Sequence, residues 1–231
     1  MLVPPGQGPA RPLVLAQRES MNRTDATIFI VDDDPSVRKS LLRLICSAGW
    51  QGEAFASAQE FLAQAAFARV GCVVLDVRMP GMTGPELRDL MAAQEISLLV
   101  IFLTGHGDIP TGVDAMKKGA VDFLQKPVND DVLLQAIQQA LERHAAAQIH
   151  RQELERIQVC LLSLTPRERE VLEYVIGGWL NKQIAAELAI SEKTVKVHRG
   201  SVMRKMDVQS VAELVRQCET AGIAPRLPAA G

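Results

Sequence analysis

The chain has 231 residues, 48% hydrophobic and 23% charged, which fits a globular protein of one large or two small domains. No apolar run approaches the roughly 18–20 residues that span a bilayer, and Cys46, Cys72, Cys160 and Cys218 stand singly, without the paired spacing of zinc or redox sites. The net charge of −2 hides an asymmetry: residues 27–131 hold 9 basic and 14 acidic residues, whereas residues 164–231 hold 10 and 8, which suggests two modules with different partners.

Residues 1–25 are rich in Pro and Gly, lack helical periodicity and read as a disordered tail. They carry no secretory signal, so a reduced, cytoplasmic protein is the simplest expectation. Met21, just before the first strand, is a candidate for the native start. From Thr27 the chain alternates buried runs (27–31, 72–75, 98–102, 122–124) with helical patterns (35–48, a helix capped by Ser57 and Glu60, 85–93, 109–118). Repeated strand–helix units with continuous apolar strands predict a parallel sheet covered on both faces. After Pro127, Leu134, Ile137 and Leu141 mark a helix that runs on as a linker of partial coiled-coil character through Leu154, Ile157 and Leu161. Thr165-Pro166-Arg167-Glu168 opens a second module with a cap, a first-turn proline and an acid at the third position. Four short helices follow: one ending at Gly177-Gly178, 181–188, 191–206 and 210–218. A frayed end at 223–231 closes the chain.

Asp32, Asp33, Asp76, Thr104 and Lys126 all fall at or just beyond strand ends. In an open parallel sheet such residues converge outside the carboxyl edge. Three neighbouring carboxylates repel one another unless a cation joins them, and Mg²⁺ suits such oxygen ligands. The lysine and the hydroxyl suit an incoming anion. The set points to a phosphoryl-transfer site with a carboxylate nucleophile. Asp34 reads as the cap of the helix that opens with Pro35, and His106 as a loop residue at the pocket mouth.

Val31-Asp32-Asp33-Asp34, the run Leu75 to Gly84, Thr104-Gly105-His106-Gly107-Asp108 and the run Lys117 to Pro127 resemble bacterial response-regulator receiver domains, most closely the branch of FixJ, NodW, StyR and TodT. The resemblance covers about residues 26–142. It implies an α/β doubly wound domain with five parallel strands, and phosphorylation of Asp76 by a histidine kinase. It implies Mg²⁺ held by Asp32, Asp33, Asp76 and the backbone carbonyl of Arg78. Thr104 and Lys126 would contact the phosphoryl group, Phe123 would be a switch aromatic, and the Lys126-Pro127 peptide would be cis.

In residues 191–206, Val195, His198, Val202 and Met206 share one stripe. Lys193, Lys196, Val197, Gly200 and Arg204 share the opposite face, which suits a major groove: cations for phosphates, a lysine for guanine, a valine for thymine methyls. Gly200 would permit close approach at a cost in helix stability. Arg199 falls on the inner flank and favours an intramolecular ion pair. With the preceding helix this makes a helix-turn-helix. Leu164 to Leu172, Asn181 to Ala185 and Thr194 to His198 resemble the LuxR/NarL-type DNA-binding domain over residues 160–222, with a helical linker at 143–159. That resemblance implies Lys196 and Val197 at base edges, Lys182, Lys193 and Arg204 near phosphates, and Val211, Leu214 and Val215 as a dimer face.

The expectation is a two-component transcription regulator that is not a metabolic enzyme. Its partners would be a sensor histidine kinase, promoter DNA, RNA polymerase and, when phosphorylated, a second copy. One rival is an aspartyl-phosphate phosphohydrolase, whose D-x-D pattern is broken here by Arg78. The other is a constitutive DNA binder, against which the complete acid pocket speaks.

Overall fold

The computed structural model describes residues 26–65, 70–105 and 122–227. The expected tail with Met21, the helix expected at 109–118, and His106 lie outside the described residues, as do residues 228–231. The chain divides into two compact units after Ala146.

The first unit holds a parallel sheet of β1 (Thr27–Val31), β2 (Gln51–Phe55), β3 (Gly71–Asp76), β4 (Leu99–Thr104) and β5 (Asp122–Gln125), in the order β2-β1-β3-β4-β5. Val31 pairs with Leu75, Asp76 with Leu103 and Thr104 with Gln125, so the polar residues at the strand ends share one edge. The order reverses between β1 and β3, and that is where a doubly wound sheet opens its ligand crevice. Every residue of β1 and β3 is buried. Alternate side chains feed two cores. Ile28, Ile30, Cys72, Val74, Ile101 and Leu103 pack with Leu41 and Ile45 of α1 (Pro35–Ser47) and with Leu133 and Ile137 of a later helix. Phe29, Val31, Val73, Leu75, Val100 and Phe102 pack with Phe61 of α2 (Ala58–Gln64) and with Leu87 and Met91 of α3 (Gly84–Ala93). A sheet buried on both faces explains the unbroken apolar strands.

Short polar signals start the helices. The Asp34 carboxylate accepts the Ser36 N–H at 2.7 Å and Pro35 follows, as its sequence position led us to expect. Thr83 and Glu86 form a reciprocal capping box at α3. Strand β2 is the element that the residues announce least. It is an edge strand paired only with β1, and Gln51-Gly52-Glu53-Ala54-Phe55 has a single strong strand former. A Cβ at Gly52 would lie 2.6 Å from Leu42 Cδ1, so a larger residue there would push the tip of that side chain aside.

Helix α4 (Asp130–Leu162) is continuous over 33 residues. Its early turns give Leu133, Ala136, Ile137, Ala140 and Leu141 to the first unit. Its last turns give Ile157 and Leu161 to the second. The second unit adds α5 (Pro166–Ile176), α6 (Asn181–Glu187), α7 (Glu192–Lys205) and α8 (Val211–Thr220). Val171, Leu172, Ile184, Val195, Val202, Met206 and Leu214 form its core. Among the described residues no helix is long and apolar enough to cross a membrane.

The expectation of a frayed end over 223–231 is corrected for residues 223–227. The Arg226 N–H donates to Glu173 O at 3.0 Å, and its carbonyl accepts the Trp179 indole N–H at 2.8 Å. These partners lie some fifty residues away, so local composition gives no hint of them.

Candidate functional site

Four backbone elements deliver the acid pocket. Asp32 follows β1, Asp76 ends β3, Thr104 ends β4 and Lys126 follows β5. Asp32, Asp76 and Thr104 are buried, whereas Asp33 is exposed at the rim. One carboxylate oxygen each from Asp32, Asp33 and Asp76 lies within 4.8 Å of the others. Lys126 Nζ sits 2.6 Å from Asp32 Oδ2 and 3.0 Å from Asp76 Oδ1. The Asp34 N–H donates to Asp32 Oδ1 at 2.9 Å, and Arg38 Nη1 donates to the Asp32 carbonyl at 2.6 Å. The Thr104 hydroxyl donates to Gly105 O at 3.0 Å. The Lys126 N–H donates to Thr104 O at 2.7 Å, and the Lys126-Pro127 peptide is cis.

The loop after Asp76 is shaped by a close contact. Gly84 N–H donates to Val77 O at 3.0 Å. A Cβ on Gly84 would lie 2.4 Å from the Asp76 carbonyl oxygen. Arg78 lies two residues beyond Asp76, with an exposed side chain.

Burial pushes the Asp76 carboxyl above the ordinary aspartate range; Lys126 opposes this, and Asp32 and Asp33 add to it. Burial alone would lower Lys126, but its contacts with Asp32 and Asp76 outweigh that and its pKa is raised. Three carboxylates thus face one ammonium. An oxygen-only, electron-rich donor set of this kind fits a hard divalent cation. Phe123 is half-buried on the α2/α3 face of the sheet, its ring centroid 6.2 Å from that of Phe102.

The second unit presents a cationic face. Lys193, Lys196, Val197, Gly200 and Arg204 are all exposed on α7, and Val197 retains 65% of its accessible surface. Val195, Val202 and Met206 are buried beneath them, and His198 is half-buried. Lys182 is exposed on α6. A cleft of about 650 Å³ between the two helices is lined by Lys182, Lys196, Gly200 and Met203 among others. The turn between α6 and α7 places Ala189 at φ 51°, a left-handed conformation that costs a non-glycine residue about 1 kcal/mol.

Two expectations here are revised. Arg199 is tied intramolecularly, but to neutral acceptors instead of an acid: Asn181 Oδ1 at 2.9 Å and Trp179 O at 3.5 Å. Leu214 is fully buried in the core, so no partner can reach it; Val211 is 39% exposed and Val215 half-buried. Helix α8 turns Leu214 and Cys218, four residues apart, inward.

Two further polar clusters escape a reading of the residues. Glu168, legible as the third residue of a capping box, also accepts from Lys205 Nζ at 2.6 Å and from the Ser201 hydroxyl. These bonds, with that of the Thr165 N–H, hold its carboxyl down to about 2. They join α5 to the exposed basic helix α7. In the first unit, His144 is buried, accepts the Gly71 N–H on Nδ1 at 3.1 Å and faces the Ser97 hydroxyl with Nε2 at 3.2 Å. Neither pairing leaves a local sequence signal, because the partners are 33 to 73 residues apart.

Comparison with known proteins matches residues 28–138 to the response regulator receiver domain and residues 162–218 to the bacterial regulatory proteins of the luxR family. The chain is 45% identical to nodulation protein W of Bradyrhizobium diazoefficiens over 200 residues, 87% of this chain and 88% of that one. It is 44% identical to the transcriptional regulatory protein FixJ of Rhizobium meliloti, covering 87% of this chain and 99% of that one. Among solved structures, the response regulator StyR matches with a TM-score of 0.77 at 46% identity, over 85% of this chain and 99% of that one. Full-length FixJ from B. japonicum matches with a TM-score of 0.54 at 44% identity, over 87% of this chain and 98% of that one.

Proposed function

The chain belongs to the response regulators that join a receiver domain to a LuxR-type DNA-binding domain, and from that premise we propose that Asp76 is its phosphoacceptor and that the phosphoryl group, taken from a sensor histidine kinase, controls binding of promoter DNA. The observation that carries this reading is the convergence of Asp32, Asp33 and Asp76 at the sheet edge, with Lys126 bonded to two of them.

In the transfer, an Asp76 carboxylate oxygen attacks phosphorus. The new P–O bond forms as the P–N bond to the kinase histidine breaks, and the imidazole leaves with the electron pair. Lys126 leaves its ion pair and meets the phosphoryl oxygens. The Thr104 hydroxyl turns from the Gly105 carbonyl to donate to one of them. Mg²⁺ held by Asp32, Asp33, Asp76 and the Arg78 carbonyl would supply positive charge to the acidic cluster and the transferring group. Phe123, packed beside Phe102, would then follow Thr104 as the switch aromatic.

The phosphoacceptor module would span 26–142, a linker 143–159 and the DNA-binding module 160–222. In the latter, Lys196 and Val197 meet base edges, and Lys182, Lys193 and Arg204 meet phosphates. Phosphorylation would pair two copies, with Val211 and Val215 as the accessible part of the α8 face. RNA polymerase is the further partner of a promoter-bound regulator, and the setting is the cytoplasm. The test is labelling by acetyl phosphate. Wild type should gain stoichiometric, hydroxylamine-sensitive phosphate and bind DNA more tightly. Asp76→Asn should gain none, since an amide forms no acyl phosphate; full labelling of that variant would refute the assignment.

A further inference from the structure

Residues 223–227 lie beyond the segment matched to the luxR family, which ends at residue 218. Arg226 nevertheless makes four hydrogen bonds. Its N–H donates to Glu173 O at 3.0 Å, its carbonyl accepts the Trp179 Nε1–H at 2.8 Å, and its guanidinium donates to Glu173 Oε2 at 2.9 Å and to the Tyr174 hydroxyl at 3.0 Å. The guanidinium carbon also lies 5.1 Å from the Tyr174 ring centroid. The backbone is so close that a Cβ on Gly177 would lie 2.1 Å from Arg226 O.

Trp179 is the hinge of this contact. Its ring stands edge-on to Tyr174 with centroids 4.9 Å apart. Its carbonyl accepts from Arg199 Nη1 at 3.5 Å, and the same guanidinium holds Asn181 Oδ1 at 2.9 Å. The turn from α5 to α6 is therefore bonded on one side by the 223–227 segment and on the other by α7.

That turn needs outside support. Helix α6 has only seven residues, and its cap residue Leu180 has no side-chain oxygen to offer. Gln183 Oε1 reaches back to the Leu180 N–H at 2.8 Å, but a helix this short does not hold itself in place. Lys182 stands in its first turn, exposed and without an ion pair or hydrogen bond among the described residues.

We propose that residues 223–227 are a strap that acts through Trp179 to position Asn181 and Lys182 beside α7 for contact with the DNA backbone. Arg226 and Trp179 are positioning residues and touch no nucleotide. The inference rests on the DNA-binding reading above.

The test uses the full chain, a duplex that wild type selects from a random pool, and a scrambled duplex of equal length. Deleting residues 224–231 should weaken binding to both duplexes about tenfold and lower the salt slope by about one, and Lys182→Ala should do the same. The same deletion in a Lys182→Ala background should add less than about twofold, because both act on one contact. Trp179→Phe keeps an aromatic ring beside Tyr174 and removes the Nε1–H together with part of the indole; it should move the salt slope in the same direction and serves where the deletion lowers the melting temperature. Wild-type affinity and slope in Trp179→Phe and the deletion, with Lys182→Ala impaired, would overturn the strap alone. So would full additivity in the double variant. A wild-type chain that selects no duplex would overturn the DNA-binding reading and the strap with it.

Discussion

Two glycines show how differently one residue type can be used. At Gly84 a Cβ would meet the Asp76 carbonyl oxygen at 2.4 Å and Phe102 at 3.1 Å. Gly84→Ala should destabilise the first unit by roughly 1–3 kcal/mol and shift the backbone that carries Asp76, which thermal unfolding and acetyl-phosphate labelling would both register. At Gly200 a Cβ meets nothing within 4 Å. Gly200→Ala should therefore stabilise α7 by about 1 kcal/mol. It should at the same time weaken binding to selected DNA if the helix backbone lies against the duplex; an affinity equal to wild type would show that it does not. Glu168 makes a pH-dependent contribution. Its ion pair with Lys205 and its bonds from Ser201 and Thr165 depress its pKa from 4.5 to about 2 in the folded chain. The folded state thus binds this proton less readily than the unfolded state. The stabilisation is complete above about pH 4.5 and is lost as pH falls toward 2. Glu168→Gln should cost roughly 1.5–3 kcal/mol at pH 7, because Lys205 loses its anionic partner while keeping the Ser163 carbonyl at 2.9 Å. The gap from wild type in melting temperature should narrow between pH 4.5 and 3.

At the scale of elements, α8 separates stability from association. Leu214 is fully buried and Val211 is 39% exposed on the same helix. Leu214→Ala should cost about 3 kcal/mol by leaving a cavity, whereas Val211→Ala should stay within about 0.5 kcal/mol. A Leu214→Ala chain with an unchanged melting temperature would contradict its place in the core. The same helix shows what a sequence reveals and what it hides. Hydrophobic periodicity identified α8, and the burial of each residue depended on the neighbours it meets. The central strands were legible because both faces are buried and their side chains are uniformly apolar. Strand β2 was not, because an edge strand with burial on one side needs few apolar residues. Asp32, Asp33, Asp76, Thr104 and Lys126 could be read as one pocket, since strand ends in a parallel sheet share an edge. What stayed hidden joins residues remote in the chain: Glu168 with Lys205, His144 with Gly71, and Arg226 with Trp179. No periodicity or spacing encodes such pairs. Arg199 falls between the two cases. Its helical angle turned it inward, and the partner proved to be an amide.

At the scale of the whole molecule, the proposed phosphate site and DNA site lie in different units, so the coupling between them must come from a change that phosphate makes in the first. Two mechanisms give distinct results with the intact chain. If phosphorylation pairs two receivers, each helical unit binds its half-site with unaltered intrinsic affinity. The gain comes from tethering, which raises the local concentration of the second unit once the first is bound. Beryllofluoride on Asp76, standing in for the phosphoryl group, should then leave affinity for a duplex with one half-site unchanged. It should raise affinity for a duplex with two half-sites by about 10² to 10⁴. Sedimentation should show a shift toward dimer without DNA. If the unphosphorylated first unit instead masks α7, beryllofluoride should raise affinity for both duplexes by the same factor, and the mass should stay that of a monomer. Pairing is the expected outcome, because one short recognition helix, with Lys196 and Val197 as its proposed base contacts, reads too few base pairs to define a promoter. The spacing of half-sites supplies the internal control. Inserting half a helical turn, about 5 base pairs, between them should abolish most of the beryllofluoride-dependent gain under pairing, since the two units could no longer meet both half-sites on one face. Under masking, the insertion should leave the gain untouched.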